Sequence, residues 1–384
     1  MTGVVELLEL PSLLSWDRPS PLADSLECVR LEEVSARLSH EIERMARADA
    51  RAAADLKERL DRLGDAAVDR ILAAPEAFYR LAGEDEARGA AFLRDAVEAE
   101  ELRSGLRDHS DRDIWSCLGD RWFPSGPIQT PRESLHWSPD TPYAAPAVAP
   151  DLPLDWASPY ARGRLPELSG TDTDLSLSER EAVLAKVREA FRVLASASPV
   201  ADATVRRFAR VVVVRRDVED GILFTSASSR FQIGRPVLRN AHRDDVGPAD
   251  VLDGIVHETI HSMLDLVESR SNFVPDCALR GERLQSPWTG RSLDIDTYVH
   301  ACFVWTGLFQ LWLAATVTGA VDGRTALRFL RLASHGFTSA DVVSALAPLR
   351  NGLEPDLIVA LSDAQRRVRA GVGLLLDAHA AVAS

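Results

Sequence analysis

Lysine is nearly missing from this chain. Of 44 basic residues only Lys57 and Lys186 are lysines, and the rest are arginines. Acidic residues outnumber basic ones and leave a net charge of -14. Nucleic acid is thereby excluded as the main partner, because phosphate binding needs a basic surface. Cysteine is scarce too: Cys28, Cys117, Cys277 and Cys302 are scattered and form no C-x-x-C pair. Neither a zinc ribbon nor a redox motif is supported, and reduced thiols in a cytoplasmic protein are expected. The start, Met1-Thr2-Gly3-Val4-Val5-Glu6, lacks a basic region and carries acid within its apolar part, so no signal peptide is expected. One stretch, Tyr298 to Val321, lacks charge altogether. It contains His300 and Gln310 and is flanked by Asp294, Asp296 and Asp322 where a membrane span usually has Lys or Arg. A helix buried on all faces of the protein core is the reading, with no membrane partner.

What the chain does contain is His257-Glu258-Thr259-Ile260-His261, an H-E-x-x-H motif. Apolar residues at 252, 255, 256, 260, 263, 264 and 267 recur at helical spacing, so the motif sits on a largely buried helix. Four residues make slightly more than one turn, which puts both imidazoles on one face. Two neutral imidazoles beside a carboxylate suit a divalent transition metal, and His257 and His261 are the first ligand pair. Gly254, one turn earlier on that face, is expected to leave room for a metal or a bound ligand.

The fold class expected is α+β, mostly helical, with a small sheet preceding the motif helix and an additional helical N-terminal region. Composition divides the chain into a helical region over 1–120, a Pro-rich irregular wrap or linker over 121–170, and a metal-binding catalytic domain over 171–384. Within the first, one helix from Asp24 toward Leu63 is expected, then Asp65 to Leu81 interrupted by Pro75, then Ala87 to Leu106. Ten prolines between 124 and 166 exclude helix through most of the second. In the third, Ser176 to Leu194 is a helix, and Phe208 to Val214, Gly221 to Thr225 and Phe231 to Leu238 are short strands. The chain after Tyr298 is helical.

Two histidines do not complete a metal site. Downstream candidates are Asp265, Glu268, Glu282, Asp294, Asp296 and His300. Asp265, one turn past His261, is better placed to orient that imidazole than to coordinate. Glu268 would have to fold back along its own helix. His300 stands out because a polar group in an apolar helix needs a partner or costs roughly 2–7 kcal/mol. Metal ligation supplies one, with Asp296, one turn earlier, as the carboxylate that orients the imidazole; a core histidine bonded to a backbone carbonyl is the structural alternative.

Asp250 to Trp312 resembles the HExxH-type 2-oxoglutarate-dependent peptide β-hydroxylases. The features that carry the resemblance are His257-Glu258-x-x-His261, Leu264-Asp265-Leu266-Val267, Ser286-Pro287-Trp288, Arg291, and His300 ahead of Phe309-Gln310-Leu311-Trp312. Upstream, Ala209 to Val214 and Phe224-Thr225-Ser226 are similar to the strands before the motif in that family. The resemblance implies iron(II) on His257, His261 and His300, with Arg291 pairing a carboxylate of 2-oxoglutarate. It also implies Ser226 beside the cofactor, and a peptide or peptide-derived substrate in a natural-product pathway. The segment between Trp288 and His300 departs from the family by being more acidic and poorer in Arg and Pro, so Arg280 and Arg283 remain rival clamps. Two reactions stay open on the same motif. A zinc-dependent metallopeptidase or other hydrolase needs Glu258 as general base toward metal-bound water. An oxygenase needs a redox-active metal, and there Glu258 acts only by orienting ligands or substrate. A third class, a degenerate protein that only holds a leader peptide, is opposed by the intact ligands.

Overall fold

The computed structural model describes residues 7–81, 86–127, 129–162, 172–217 and 223–383. The protein is 62% helical with several small sheets, a mostly helical α+β fold. Its described residues fall into two compact units, neither contiguous in sequence. One lies within Met1–Glu27, Ala190–Val205 and Met263–Ser384, the other within Cys28–Glu189 and Arg206–Ser262. Neither unit is bounded near residue 120 or 170.

The larger unit takes most of the N-terminal helices. They span Pro21–Ala48, Ala50–Arg62, Asp65–Ala73, Pro75–Arg80 and Glu86–Ser104. The single helix expected from Asp24 to Leu63 is broken at Asp49. That residue is extended, and its carboxylate accepts from the Arg51 and Ala52 amides to cap a new helix. The next break comes at Pro75, where the sequence places it.

The Pro-rich stretch is not a bare linker. Trp115, Trp122, Trp137 and Tyr143 cluster with ring centroids 5.2–5.9 Å apart. Leu152–Asp155, buried at all four positions, enters the main sheet of this unit. That sheet runs in the order Thr225–Ala227, Val237–Arg239, Val212–Asp217, Leu152–Asp155, Ala147–Ala149, with Asp172–Thr173 also paired to the central strand. The central pairings are parallel, Val213 opposite Val237 and Val212 opposite Leu154.

Two strand boundaries differ from expectation. Phe208 ends a helix, Pro199–Phe208, and the strand begins only at Val212. Ser198 Oγ accepts from the Ala201 amide, a helix start that outweighs the strand propensity of the valines further on. Of Phe231 to Leu238 only the end is strand, because Gly234 at φ +94° and Pro236 interrupt the ladder. Gly221 lies outside the described residues; the strand near it is Thr225–Ala227.

The motif lies on the helix Pro248–Glu268, which starts where Gly247-Pro248 predicts. Gly254 does not open space for a ligand, as the sequence suggests. A Cβ there would sit 3.2 Å from both Phe224 Cζ and Ser226 Cβ, and 3.4 Å from Leu238 Cδ2. The missing side chain lets the sheet approach the helix.

In the smaller unit the uncharged stretch forms the helix Ile295–Thr318, capped by Asp294 and ended by Gly319 in the left-handed region. Among the described residues it is the one helix long and apolar enough to cross a membrane, and 56% of its apolar window is buried inside the protein. It packs against Gly323–Ser339 and Pro355–Ala383. Trp312 stacks on Phe329 at 4.2 Å, and Gly371 admits the ring of Phe309. Trp16 donates to the Gly307 carbonyl at 2.8 Å. These contacts make it a core helix.

Candidate metal centre

The motif helix buries Leu252, Ile255, Val256, Ile260, Leu264 and Val267. Asp253, His257, His261, Asp265 and Glu268 form a half-buried stripe at three- and four-residue spacing. The rings of His257 and His261 have centroids 5.1 Å apart and are tilted by 47°. This pairing follows from helical geometry, and two imidazoles so placed fit a divalent metal of the zinc or iron type.

Glu258 points elsewhere. It is 3% exposed, and both of its oxygens are occupied. Ser226 Oγ donates to Oε1 and Ser228 Oγ to Oε2, each at 2.6 Å. Oε1 lies 4.0 Å from His257 Nε2, near the imidazole but beyond hydrogen-bond reach. A buried carboxylate with two short hydroxyl donors is a fixed group. Ser226, which the resemblance puts beside the cofactor, thus has its hydroxyl engaged by Glu258. Ser228 goes unnoticed in the sequence, although extended backbone at 225–227 puts residues two apart on one face.

His300 is buried, with 9% of its side chain exposed. Its Nε2 lies 3.0 Å from Glu268 Oε2, and Phe273 packs edge-on to its ring at 5.8 Å. One partner of this imidazole is therefore the Glu268 carboxylate, which the sequence alone sets aside. Burial pushes the His300 pKa down, but the Glu268 hydrogen bond and the charges of Asp265, Glu268 and Asp296 prevail and raise it. Ligand atoms of Asp265, Glu268 and His300 all lie within 4.8 Å of one another, a second group with metal-ligand chemistry. Glu268 thus meets His300 rather than the two motif histidines in this group. Of the remaining candidates, Asp294 spends its carboxylate capping the apolar helix at Thr297, and Glu282 is exposed.

The arginines sit on a hairpin in which Arg283–Gln285 pairs with Ser292–Asp294. Arg283 is tied within it, donating to Ser292 Oγ at 3.0 Å and to the Ser292 carbonyl at 2.6 Å. Arg291 is exposed at the turn and makes no side-chain hydrogen bond among the described residues, so its guanidinium is the available one. The side chain of Arg280 lies outside the described residues. Trp288 anchors the hairpin. Its Nε1 donates to the Ala333 carbonyl at 3.0 Å, its ring stacks on Trp305, and Gly336 leaves it space that a Cβ would fill at 2.3 Å. The Pro-Trp pair is a structural peg for the turn that carries Arg291.

No protein-family model matches the chain, and no curated protein matches it.

Proposed function

We propose that this protein is a non-heme iron(II), 2-oxoglutarate-dependent oxygenase. It hydroxylates a peptide or peptide-derived substrate in the cytoplasm as part of a natural-product pathway. His257 and His261 hold the metal, and His300 is its third protein ligand. Glu268, 3.0 Å from the His300 Nε2, is the carboxylate that orients this imidazole. Arg291 is the clamp for a carboxylate of 2-oxoglutarate, because Arg283 is already committed to Ser292.

The observation that carries this reading over a zinc hydrolase is the state of Glu258. A general base toward metal-bound water must be free to take up a proton and pass it on. Glu258 is buried, and each oxygen already accepts from a serine. That suits a residue that orients the ligand face. When bound, iron(II) with 2-oxoglutarate supplies the oxidising chemistry: one atom of O₂ goes to succinate, which forms with loss of CO₂, and the other to the hydroxylated substrate. The chain's own residues hold the metal, fix the cosubstrate and, through Ser226 and Ser228, keep Glu258 rigid.

The test is metal analysis after anaerobic purification, followed by succinate measurement. Iron(II)-loaded protein should convert 2-oxoglutarate to succinate only when oxygen is present. Zinc in the purified protein together with oxygen-independent peptide cleavage would establish the hydrolase instead.

A further inference from the structure

The segment that clamps Glu258 is itself held from behind. After Ser228 the chain loops through residues 229–236 before entering the strand Val237–Arg239. Gln232 Nε2 donates to Glu76 Oε1 at 2.7 Å, and Arg235 Nη1 pairs with the same oxygen. Arg80 Nε donates to the other oxygen at 3.2 Å. Glu76 and Arg235 are each 1% exposed. Glu76 comes from the helix Pro75–Arg80, in the N-terminal region to which the sequence assigns no chemistry.

The loop also grips the motif helix. The Gly234 amide donates to Ser262 Oγ at 3.2 Å, and Ser262 Oγ donates to the Glu258 carbonyl at 3.1 Å. Gly234 has φ +94°, and a Cβ there would lie 2.9 Å from the Phe208 carbonyl, so the backbone path at this point is restricted to glycine. The loop thus meets Glu258 through its side chain at one end and through its backbone at the other, with Glu76 gripping the middle.

A wholly buried ion pair is a poor source of stability, since apolar residues of similar volume often do as well or better. What it fixes well is geometry. We propose that Glu76 is a positioning residue for the site. Through Gln232 and Arg235 it sets the loop that presents Ser226 and Ser228 to Glu258, and so gives the N-terminal helices a part in the reaction. The proposal rests on the reading of Glu258 as part of an oxygenase site.

Glu76→Ala would leave Arg235 buried without its carboxylate and risks losing the fold. The variant to use is Glu76→Gln with Arg235→Gln, neutral and of similar size. Its control is Glu101→Gln with Arg59→Gln, which removes another partly buried ion pair of the same region, held at 2.8 Å and away from the loop. The readouts are amide hydrogen exchange, the absorption spectrum of the cobalt(II)-substituted protein, and turnover of 2-oxoglutarate. In the Glu76 variant the Gln232 and Gly234 amides should exchange at least tenfold faster. The cobalt spectrum should shift, and kcat should fall about tenfold with KM for 2-oxoglutarate unchanged. The control should leave all of these as in wild type. Wild-type exchange at Gln232 and Gly234 overturns the proposal, as does faster exchange with an unchanged cobalt spectrum. If wild-type protein does not turn over 2-oxoglutarate at all, the oxygenase reading fails, while exchange and spectrum still decide the role of Glu76.

Discussion

His300 Nε2 lies 3.0 Å from Glu268 Oε2 across 32 residues of sequence, joining the apolar helix to the end of the motif helix. A metal-bound histidine is commonly oriented by a carboxylate on its other nitrogen, and losing that partner typically costs about 10–100-fold in metal affinity. Glu268→Ala should weaken metal binding by that order, measured by competition with a chromophoric chelator. His300→Ala should lose metal about as fully as His257→Ala, with the fold retained by circular dichroism. If His257→Ala keeps its metal while Asp265→Ala and Glu268→Ala lose it, the ion sits on the Asp265, Glu268 and His300 group instead.

Glu258 and its two serines make a second prediction. Removing Ser226 and Ser228 together leaves a buried carboxylate without its donors, a loss of about 1–3 kcal/mol for each missing hydrogen bond. The Ser226→Ala, Ser228→Ala protein should unfold at lower denaturant concentration yet still bind iron(II). Its ratio of hydroxylated product to succinate should drop, because a loosened Glu258 no longer holds the ligand face. Unchanged stability would mean that the serines do not satisfy Glu258 in solution.

Gly254 allows a simple test of packing. Alanine is favoured over glycine within a helix by about 1 kcal/mol. Here its methyl would meet Phe224 and Ser226 at 3.2 Å. Overpacking of this kind costs about 1–3 kcal/mol. Gly254→Ala should therefore be destabilising in thermal unfolding. A stabilised variant would show that the sheet yields, and would restore the reading of free space along this face.

These contacts also show how far the sequence could be read. The motif helix, its start at Pro248, the break at Pro75 and the core helix around His300 are legible because proline, caps and hydrophobic period act locally. The partner of His300 is not, since nothing in the apolar helix points to a carboxylate 32 positions earlier. Leu152–Asp155 is hidden for another reason: Pro153 and the prolines around the strand read as irregular chain, and only pairing with Val212–Asp217 makes it a strand. Ser228 was accessible in principle, two residues from Ser226 in extended backbone, but it needed Glu258 opposite to have a meaning. Glu76 reads as one more helical acid until Arg235 is folded against it.

Glu98 should make part of the protein's stability pH-dependent. Burial raises its pKa, but hydrogen bonds from Arg112 and Ser110 and the charges of Arg107 and Arg112 outweigh this and hold it below the ordinary 4.5. A carboxylate depressed in the folded state contributes stability above its unfolded value and loses it as pH falls through the folded one. Thermal unfolding of wild type and Glu98→Gln should therefore differ most near neutral pH. The gap should close as the pH drops below about 4.5. A gap independent of pH would show that Glu98 acts by packing rather than by charge.

An oxygenase takes the new oxygen of its product from O₂, whereas a hydrolase takes it from water. The measurement is product mass after reaction with iron(II), 2-oxoglutarate and isotopically heavy O₂ in ordinary water, using wild type and Glu258→Gln. One heavy oxygen should appear in the hydroxylated substrate and one in succinate, with slower turnover but iron still bound in Glu258→Gln. Heavy oxygen absent from the product and taken up from labelled water instead, with activity carried by zinc and abolished in Glu258→Gln, would make the protein a zinc hydrolase.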